Sequence, residues 1–69
     1  MPNPTAAILI IGDEILSGRT REANAHYLAG ELVRTGIDLK EIRVVADDMA
    51  AIAGALNALR AAHDHVFTS

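Results

Sequence analysis

The stretch Ala7-Ile8-Leu9-Ile10-Ile11, which runs directly into Gly12-Asp13-Glu14-Ile15-Leu16-Ser17-Gly18, decides the fold of this chain. Its apolar residues follow one another without alternation and end at a glycine, a pattern typical of a strand that is buried on both faces. We therefore predict a central parallel strand over about Ala6 to Ile11. The acidic residues after it then fall at the carboxyl end of this strand, where open α/β sheets bind ligands.

A helical pattern follows the loop Gly12–Gly18, with the capping residues that helix ends prefer. Asn24 or Thr20 is predicted to cap its start, and Gly36 is placed to end it in the left-handed conformation. We attribute Gly30, inside this helix, to close packing. The predicted apolar face consists of Ala25, Leu28, Ala29, Leu32 and Val33.

The rest of the chain contains a second strand, a second helix and a third strand. The second strand covers about Asp38 to Val45, and its mixed pattern predicts one covered face or an edge position. Asp47 or Asp48 is predicted to cap the next helix, and Gly54 to mark a close approach. His65 begins the third strand. The apolar face of the second helix is predicted from Ala51, Ile52, Ala55, Leu56, Ala58 and Leu59.

These elements predict an α/β fold of β-α-β-α-β type. Right-handed crossovers make the strands parallel, and the most apolar strand belongs in the middle, which gives the order 2-1-3. This is the first half of a doubly wound three-layer domain. We expect residues 1–5 to form a flexible tail and residues 6–69 to be the amino-terminal part of one longer domain. A lone fragment of this kind is expected to be aggregation-prone, and its third strand to favour pairing with another chain as a homo-oligomer.

Composition excludes several classes of function. The 69 residues carry a net charge of −3 and no cysteine, so a basic surface for nucleic acid and a thiol nucleophile are both absent. The glycines match neither a P-loop nor a dinucleotide-binding motif. The histidines show no pair at the spacing of a zinc site. Neither a leader nor a membrane-spanning segment is recognisable, so we expect a cytoplasmic protein that does not bind membranes.

All three strand ends converge on one edge of the predicted sheet. Carboxylates there can hold a magnesium ion that bridges to phosphates, or accept hydrogen bonds from an amino-substituted ring. Hydroxyls and backbone amides can bind phosphate oxygens. The edge therefore suits a phosphorylated heterocycle. Its polar residues are Asp13, Glu14, Ser17, Gly18, Asp47, Asp48, Thr68 and Ser69.

Four segments resemble the molybdopterin-binding domain of the competence/damage-inducible protein A (CinA) family: Ile11–Thr20, Asn24-Ala25, Val44–Asp48 and Val66–Ser69. The resemblance covers nearly the whole chain from Ala6 onward. It implies an α/β/α sandwich shared with molybdenum-cofactor biosynthesis proteins. The chain differs from the family pattern at Ala46, where the family usually has a proline. The glycine-rich loop that follows the third strand in the family is absent, which would leave a lone fragment a poor binder.

The resemblance implies molybdopterin as the ligand and assigns roles at the edge. Asp13 and Gly18 lie where the family has its ligand loop, and Asp47 matches an acidic residue that is important for molybdopterin handling. We therefore assign a catalytic role to Asp47 and metal binding to Asp13 and Asp47, with Mg²⁺ as the candidate ion. The predicted cofactor-binding residues are Gly12, Asp13, Glu14, Ser17, Gly18, Thr68 and Ser69.

Three functions follow from this assignment. The first is a molybdopterin-binding domain, and the second, known among CinA-like proteins, is a metal-dependent pyrophosphatase that acts on ADP-ribose or a related dinucleotide. The third is a non-catalytic regulatory module similar to a signalling receiver. A receiver requires a phosphate-accepting aspartate at the end of the third strand, where this chain has Thr68 and Ser69.

Overall fold

The computed structural model describes residues 2–18 and 24–69, and Thr20, a predicted helix cap, lies outside them. The elements in chain order are β1 (Thr5–Ile11), α1 (Asp13–Leu16), α2 (Asn24–Arg34), β2 (Asp38–Val45), α3 (Met49–Ala62) and β3 (His65–Thr68). The strands form one parallel sheet in the order β2-β1-β3. The predicted α/β class and strand order are confirmed.

β1 is the buried centre of the molecule. Its residues from Ala6 to Ile10 are at most 2% exposed. Because side chains alternate between the faces of a strand, Ile8 packs in a cluster with Leu32 of α2, whereas Leu9 packs in a cluster with Leu59 of α3. The uninterrupted apolar sequence of β1 is explained by this arrangement, in which a helix covers each face of the sheet.

Helix α2 buries a narrower stripe than the sequence predicts. Ala25 and Leu32 are buried, but Val33 is 73% exposed. It lies one residue, about 100° of helix rotation, beyond Leu32 and so points away from the sheet. Gly36 has φ of 80° just after the helix, which confirms its predicted left-handed conformation. A Cβ at Gly30 would meet none of the described residues within 4 Å, so the predicted close packing is not found among them.

Helix α3 begins as predicted and packs on the opposite face. Asp48 is its N-cap, and its side chain accepts a hydrogen bond from the Ala51 amide. Ala55 and Leu59 are buried. Gly54, like Gly30, has open space where a Cβ would lie, so the predicted close approach is absent. Among the described residues, no helix combines the length and apolarity that crossing a membrane requires.

β2 is an edge of the described sheet and contains a bulge that the sequence does not reveal. Ala6 pairs with Leu39 and Ala7 pairs with Glu41, so Lys40 is the extra residue. The bulge shifts the alternation of the strand. As a result Glu41, which pairs with Ala7, lies on the α3 face, where His63 Nε2 is 3.3 Å from its Oε1.

Candidate functional site

The carboxyl ends of the strands meet at one edge of the sheet, as predicted, and backbone hydrogen bonds continue the pairing past the strands. The Gly12 amide donates to the Val45 carbonyl over 3.0 Å. On the other side of β1, the Ile11 amide donates to the Ser69 carbonyl over 3.0 Å, and the Ser69 amide donates to Leu9 over 2.9 Å. The three segments that carry the predicted site residues are therefore fixed relative to one another.

The segment after β1 forms a single helical turn, α1, where the sequence predicts only a loop. The Ser17 amide donates to the Asp13 carbonyl over 2.9 Å, and the Ser17 hydroxyl donates to the Glu14 carbonyl over 3.2 Å. Gly18 follows with φ of 79°, a value that favours glycine. The turn leaves Asp13, Glu14, Ser17 and Gly18 exposed at the edge.

Gly12 and Glu14 lie against each other at the start of this turn. Gly12 is buried with φ of 167°, an extended conformation that any residue adopts. A Cβ at Gly12 would lie 2.7 Å from Glu14 Oε1, so the Glu14 carboxylate covers the backbone at this point. Glycine here allows the close approach of a charged side chain.

Asp13 connects the β1 and β2 ends. Its Oδ1 accepts a hydrogen bond of 3.2 Å from the backbone amide of Asp47. The two residues assigned to a metal are therefore adjacent, although one oxygen of Asp13 is already engaged. The remaining carboxylate oxygens fit the chemistry of Mg²⁺, which takes oxygen ligands and binds to one or two carboxylates together with water and substrate phosphates. No group of three or more His, Cys, Asp or Glu side chains at metal-binding distance occurs within residues 2–18 and 24–69.

The structure distinguishes between Asp47 and Asp48, which the sequence leaves equivalent as caps. Asp48 Oδ2 accepts from the Ala51 amide over 2.9 Å, so its carboxylate caps α3. The Asp47 side chain is exposed and makes no hydrogen bond to the part of the chain that the structure describes. Asp47 is consequently the carboxylate of this pair that is free for a ligand.

The end of β3 contributes hydroxyl groups and brings in a residue that the sequence did not assign to the site. Thr68 and Ser69 are exposed. The Asn24 side-chain amide donates to the Ser69 hydroxyl over 3.3 Å. Asn24 is the first residue of α2, so the amino end of this helix also reaches the edge. Its position beside Ala25, the first buried residue of the helix, is the signal in the sequence that places it near the sheet.

Two carboxyl groups with altered acidity lie away from this edge. Hydrogen bonds from Arg43 and then from His63 lower the pKa of Glu41, which is in the middle of β2. The Thr5 backbone amide, which donates to Asp64 over 2.7 Å, lowers the pKa of Asp64 at the opposite end of the sheet. Both effects belong to the fold rather than to the candidate site.

An open groove of about 630 Å³ also lies away from the edge, between α2 and the amino end of β2. Its lining is mixed polar and apolar, and its charged side chains come from Asp38 and Lys40. The converging carboxylates and hydroxyls lie at the other end of the strands, so we place the candidate site there.

A family model and a solved structure both match this chain over nearly its whole length. A family model described as "Probable molybdopterin binding domain" matches residues 7–69. A solved structure, the crystal structure of the protein CinA with unknown function from Thermoplasma acidophilum, superposes with a TM-score of 0.91 at 29% identity. The match covers 99% of this chain and 40% of that one.

Curated relatives match over nearly the whole chain. A "Probable FAD synthase" from Caenorhabditis elegans is 45% identical over 65 residues, which are 94% of this chain and 12% of that protein. A "CinA-like protein" from Citrifermentans bemidjiense is 41% identical over 63 residues, which are 91% of this chain and 15% of that protein. The chain thus spans only a small part of the length of these relatives.

Proposed function

We propose, since the chain belongs to the family of probable molybdopterin binding domains, that the carboxyl edge of its sheet binds a phosphorylated pterin. The observation that carries the proposal is the state of Asp47. Its amide is held by Asp13 over 3.2 Å, while its carboxylate lies exposed without a partner in the described residues. An ordered, unpaired carboxylate at a strand end is suited to a ligand that donates hydrogen bonds.

The pterin ring supplies such donors in its amino group and ring N–H groups. In our proposal Asp47 accepts these hydrogen bonds and orients the ring. The phosphate lies toward the hydroxyls of the neighbouring segments. The hydroxyls come from Ser17, Thr68 and Ser69, while Gly12, Glu14 and Gly18 shape the turn beside them.

A divalent cation fits the same edge. The exposed Asp47 carboxylate presents oxygen atoms that make no hydrogen bond to the described residues, and Mg²⁺ commonly takes one or two carboxylates together with substrate phosphates. When bound, the ion would neutralise phosphate charge. The Asp47 carboxylate would hold it, and Asp13 would contribute through its hydrogen bond to the Asp47 amide.

A second candidate function is hydrolysis of ADP-ribose or a related nucleotide diphosphate. The name of the Caenorhabditis elegans relative, "Probable FAD synthase", supports only the class of ligand, because FAD also contains a diphosphate bridge. In this function water attacks one phosphorus atom, the bridging P–O bond breaks, and the attacking water loses a proton to solvent or to a nearby carboxylate. A non-catalytic regulatory module is a third candidate, in which Asp47 binds a ligand without turnover.

Calorimetric titration of the full-length protein tests the proposal. We expect molybdopterin to bind the wild type and Asp47→Ala to bind roughly tenfold to a hundredfold more weakly, because a hydrogen bond to a charged group contributes about 1.5–3 kcal/mol. Asp38→Ala is the matched control, since this exposed carboxylate lies at the other end of β2. Equal affinity in all three proteins would contradict the proposal.

A parallel titration with ADP-ribose and Mg²⁺ separates the alternatives. Continuous heat of hydrolysis that disappears in Asp47→Ala would identify a pyrophosphatase. Binding of molybdopterin without ADP-ribose turnover would support a domain that handles the cofactor. Absence of heat with both ligands would exclude both functions at this edge.

A further inference from the structure

We propose that Asp13 is a positioning residue that holds the backbone of Asp47 in the loop between β2 and α3. The negative charge of Asp13 is not required for ligand binding. The inference deepens the proposed function and rests on it. It departs from the sequence-based assignment of Asp13 as a metal ligand, because the contact that the Asp13 carboxylate makes among the described residues is with a backbone amide.

The geometry shows why a side chain is needed at this point. The ladder between β1 and β2 continues to Gly12, whose amide donates to the Val45 carbonyl over 3.0 Å. The chain then turns into α1, which begins at Asp13, so β1 offers no further backbone acceptor to the segment after β2. The Asp13 carboxylate takes that place and accepts from the Asp47 amide.

The opposite side of Asp47 is anchored independently. The Asp48 amide donates to the Ala46 carbonyl over 2.8 Å, and the Asp48 side chain caps α3 through the Ala51 amide. Asp47 therefore lies between a contact to β1 and a helix cap. Fixing its backbone in advance reduces the conformational entropy that its carboxylate loses when a ligand binds.

The role requires only a hydrogen-bond acceptor, which makes it separable from a metal-binding or charge role. Asn at position 13 keeps an oxygen of the same geometry and loses the charge, whereas Ala removes both. A positioning residue is thus rescued by Asn. A residue that binds a cation or supplies negative charge is not.

The experiment uses the full-length protein with Asp13→Asn and Asp13→Ala. The first measurement is hydrogen exchange of the Asp47 amide without ligand. We expect slow exchange in the wild type and in Asp13→Asn, and exchange about tenfold faster in Asp13→Ala, because an ordered acceptor protects the amide. Equal exchange in all three proteins would overturn the inference, whether or not the wild type binds molybdopterin.

The second measurement is molybdopterin affinity. We expect Asp13→Asn to bind within about threefold of the wild type and Asp13→Ala to bind roughly tenfold more weakly. In an Asp47→Ala background, Asp13→Ala should cause no further loss, since residues that act through one another are not additive. Equal weakening by Asn and Ala would assign a charge role to Asp13 instead. Failure of the wild type to bind would refute the proposed function, while the exchange measurement would still decide the positioning role.

Discussion

Asp47 and Asp48 are adjacent and chemically identical, yet the fold gives them different tasks. Asp48 satisfies a free amide at the start of α3 through Ala51, a contact that stabilises the helix. Asp47 contributes its backbone to the contact with Asp13 and leaves its carboxylate exposed. The helix cap and the proposed ligand contact therefore fall on separate residues at neighbouring positions.

Alanine substitution of the two aspartates should have different effects on the free energy of unfolding. We expect Asp48→Ala to lower the free energy of unfolding by about 1 kcal/mol, the usual cost of losing an N-cap. Asp47→Ala should change it by less than about 0.5 kcal/mol, as for most surface substitutions. Urea denaturation followed by circular dichroism measures both. A larger loss for Asp47→Ala than for Asp48→Ala would show that the cap is assigned to the wrong residue.

Asp64 links the start of β3 to the start of β1, and this link should depend on pH. Its carboxylate accepts from the Thr5 amide over 2.7 Å and from the Thr5 hydroxyl, and the amide contact is the main cause of its lowered pKa. A group whose pKa is lower in the folded state stabilises the protein above its unfolded pKa. That stabilisation is lost as pH falls through the folded pKa.

We therefore expect Asp64→Ala to lower the melting temperature at pH 7 and to have a smaller effect at pH 2. The pH dependence contributed by Glu41, whose pKa is also lowered, remains in both proteins and so cancels in the comparison. Calorimetric scans at the two pH values measure the difference. An effect of Asp64→Ala that is the same at both would contradict the assigned contact.

At the scale of elements, α2 shows how position decides the role of a glycine. Gly30 lies within the helix beside open space, and Gly36 ends it with φ of 80°. The first position has a helical backbone that alanine prefers, whereas the second has a conformation that disfavours any Cβ. The two glycines of one element therefore affect its stability in opposite directions.

Alanine substitution tests this contrast directly. We expect Gly30→Ala to raise the free energy of unfolding by about 0.5–1 kcal/mol. Gly36→Ala should lower it by about 1–2 kcal/mol, the cost of a left-handed conformation for a residue with a Cβ. Chemical denaturation of the two variants, which add the same methyl group, gives the comparison. A loss of stability in Gly30→Ala would contradict the open space assigned to this position.

The elements also show which features can be predicted from the sequence. β1 was predictable because its residues from Ala6 to Ile11 are all apolar, and Gly36 because glycine favours the end of a helix. α1 was not, since its four residues, Asp13–Leu16, are too short to show a helical period. The bulge at Lys40 was hidden for a similar reason, because it depends on the pairing of β2 with β1.

Some features of the candidate site could likewise be predicted from the sequence, and others could not. Convergence of the strand ends followed from topology, so the position of Asp13, Asp47 and Ser69 at one edge could be predicted. The choice between Asp47 and Asp48 could not, because it depends on which carboxylate reaches the Ala51 amide. Asn24 and Ser69 are 45 positions apart, so the place of Asn24 near the sheet could be predicted from its neighbour Ala25, but its contact with Ser69 could not.

For the molecule as a whole, the core is small and is divided between the two faces of the sheet. One cluster contains Ile8 and Leu32, and the other contains Leu9 and Leu59. A chain of this size buries only about 60% of its unfolded surface, so each large buried side chain contributes a substantial share of the stability. Loss of one such side chain should therefore lower the stability of the whole fold.

Leu59→Ala and Met49→Ala provide a matched pair on α3. Leu59 is fully buried and Met49 is 82% exposed. We expect Leu59→Ala to lower the free energy of unfolding by about 2–5 kcal/mol, because it leaves a cavity between α3 and β1. Met49→Ala should change it by less than about 0.5 kcal/mol. Similar values from urea denaturation of the two variants would contradict the placement of the α3 face.

The central claim is that a phosphorylated pterin binds at the carboxyl edge of the sheet, and amide chemical shifts locate binding most directly. The measurement is a titration of the ¹⁵N-labelled full-length protein with molybdopterin, followed by two-dimensional NMR. We predict the largest shifts at Gly12, Asp47 and Ser69. Shifts confined to Asp38 and Lys40, in the groove at the opposite end of β2, would contradict the claim, as would spectra that do not change.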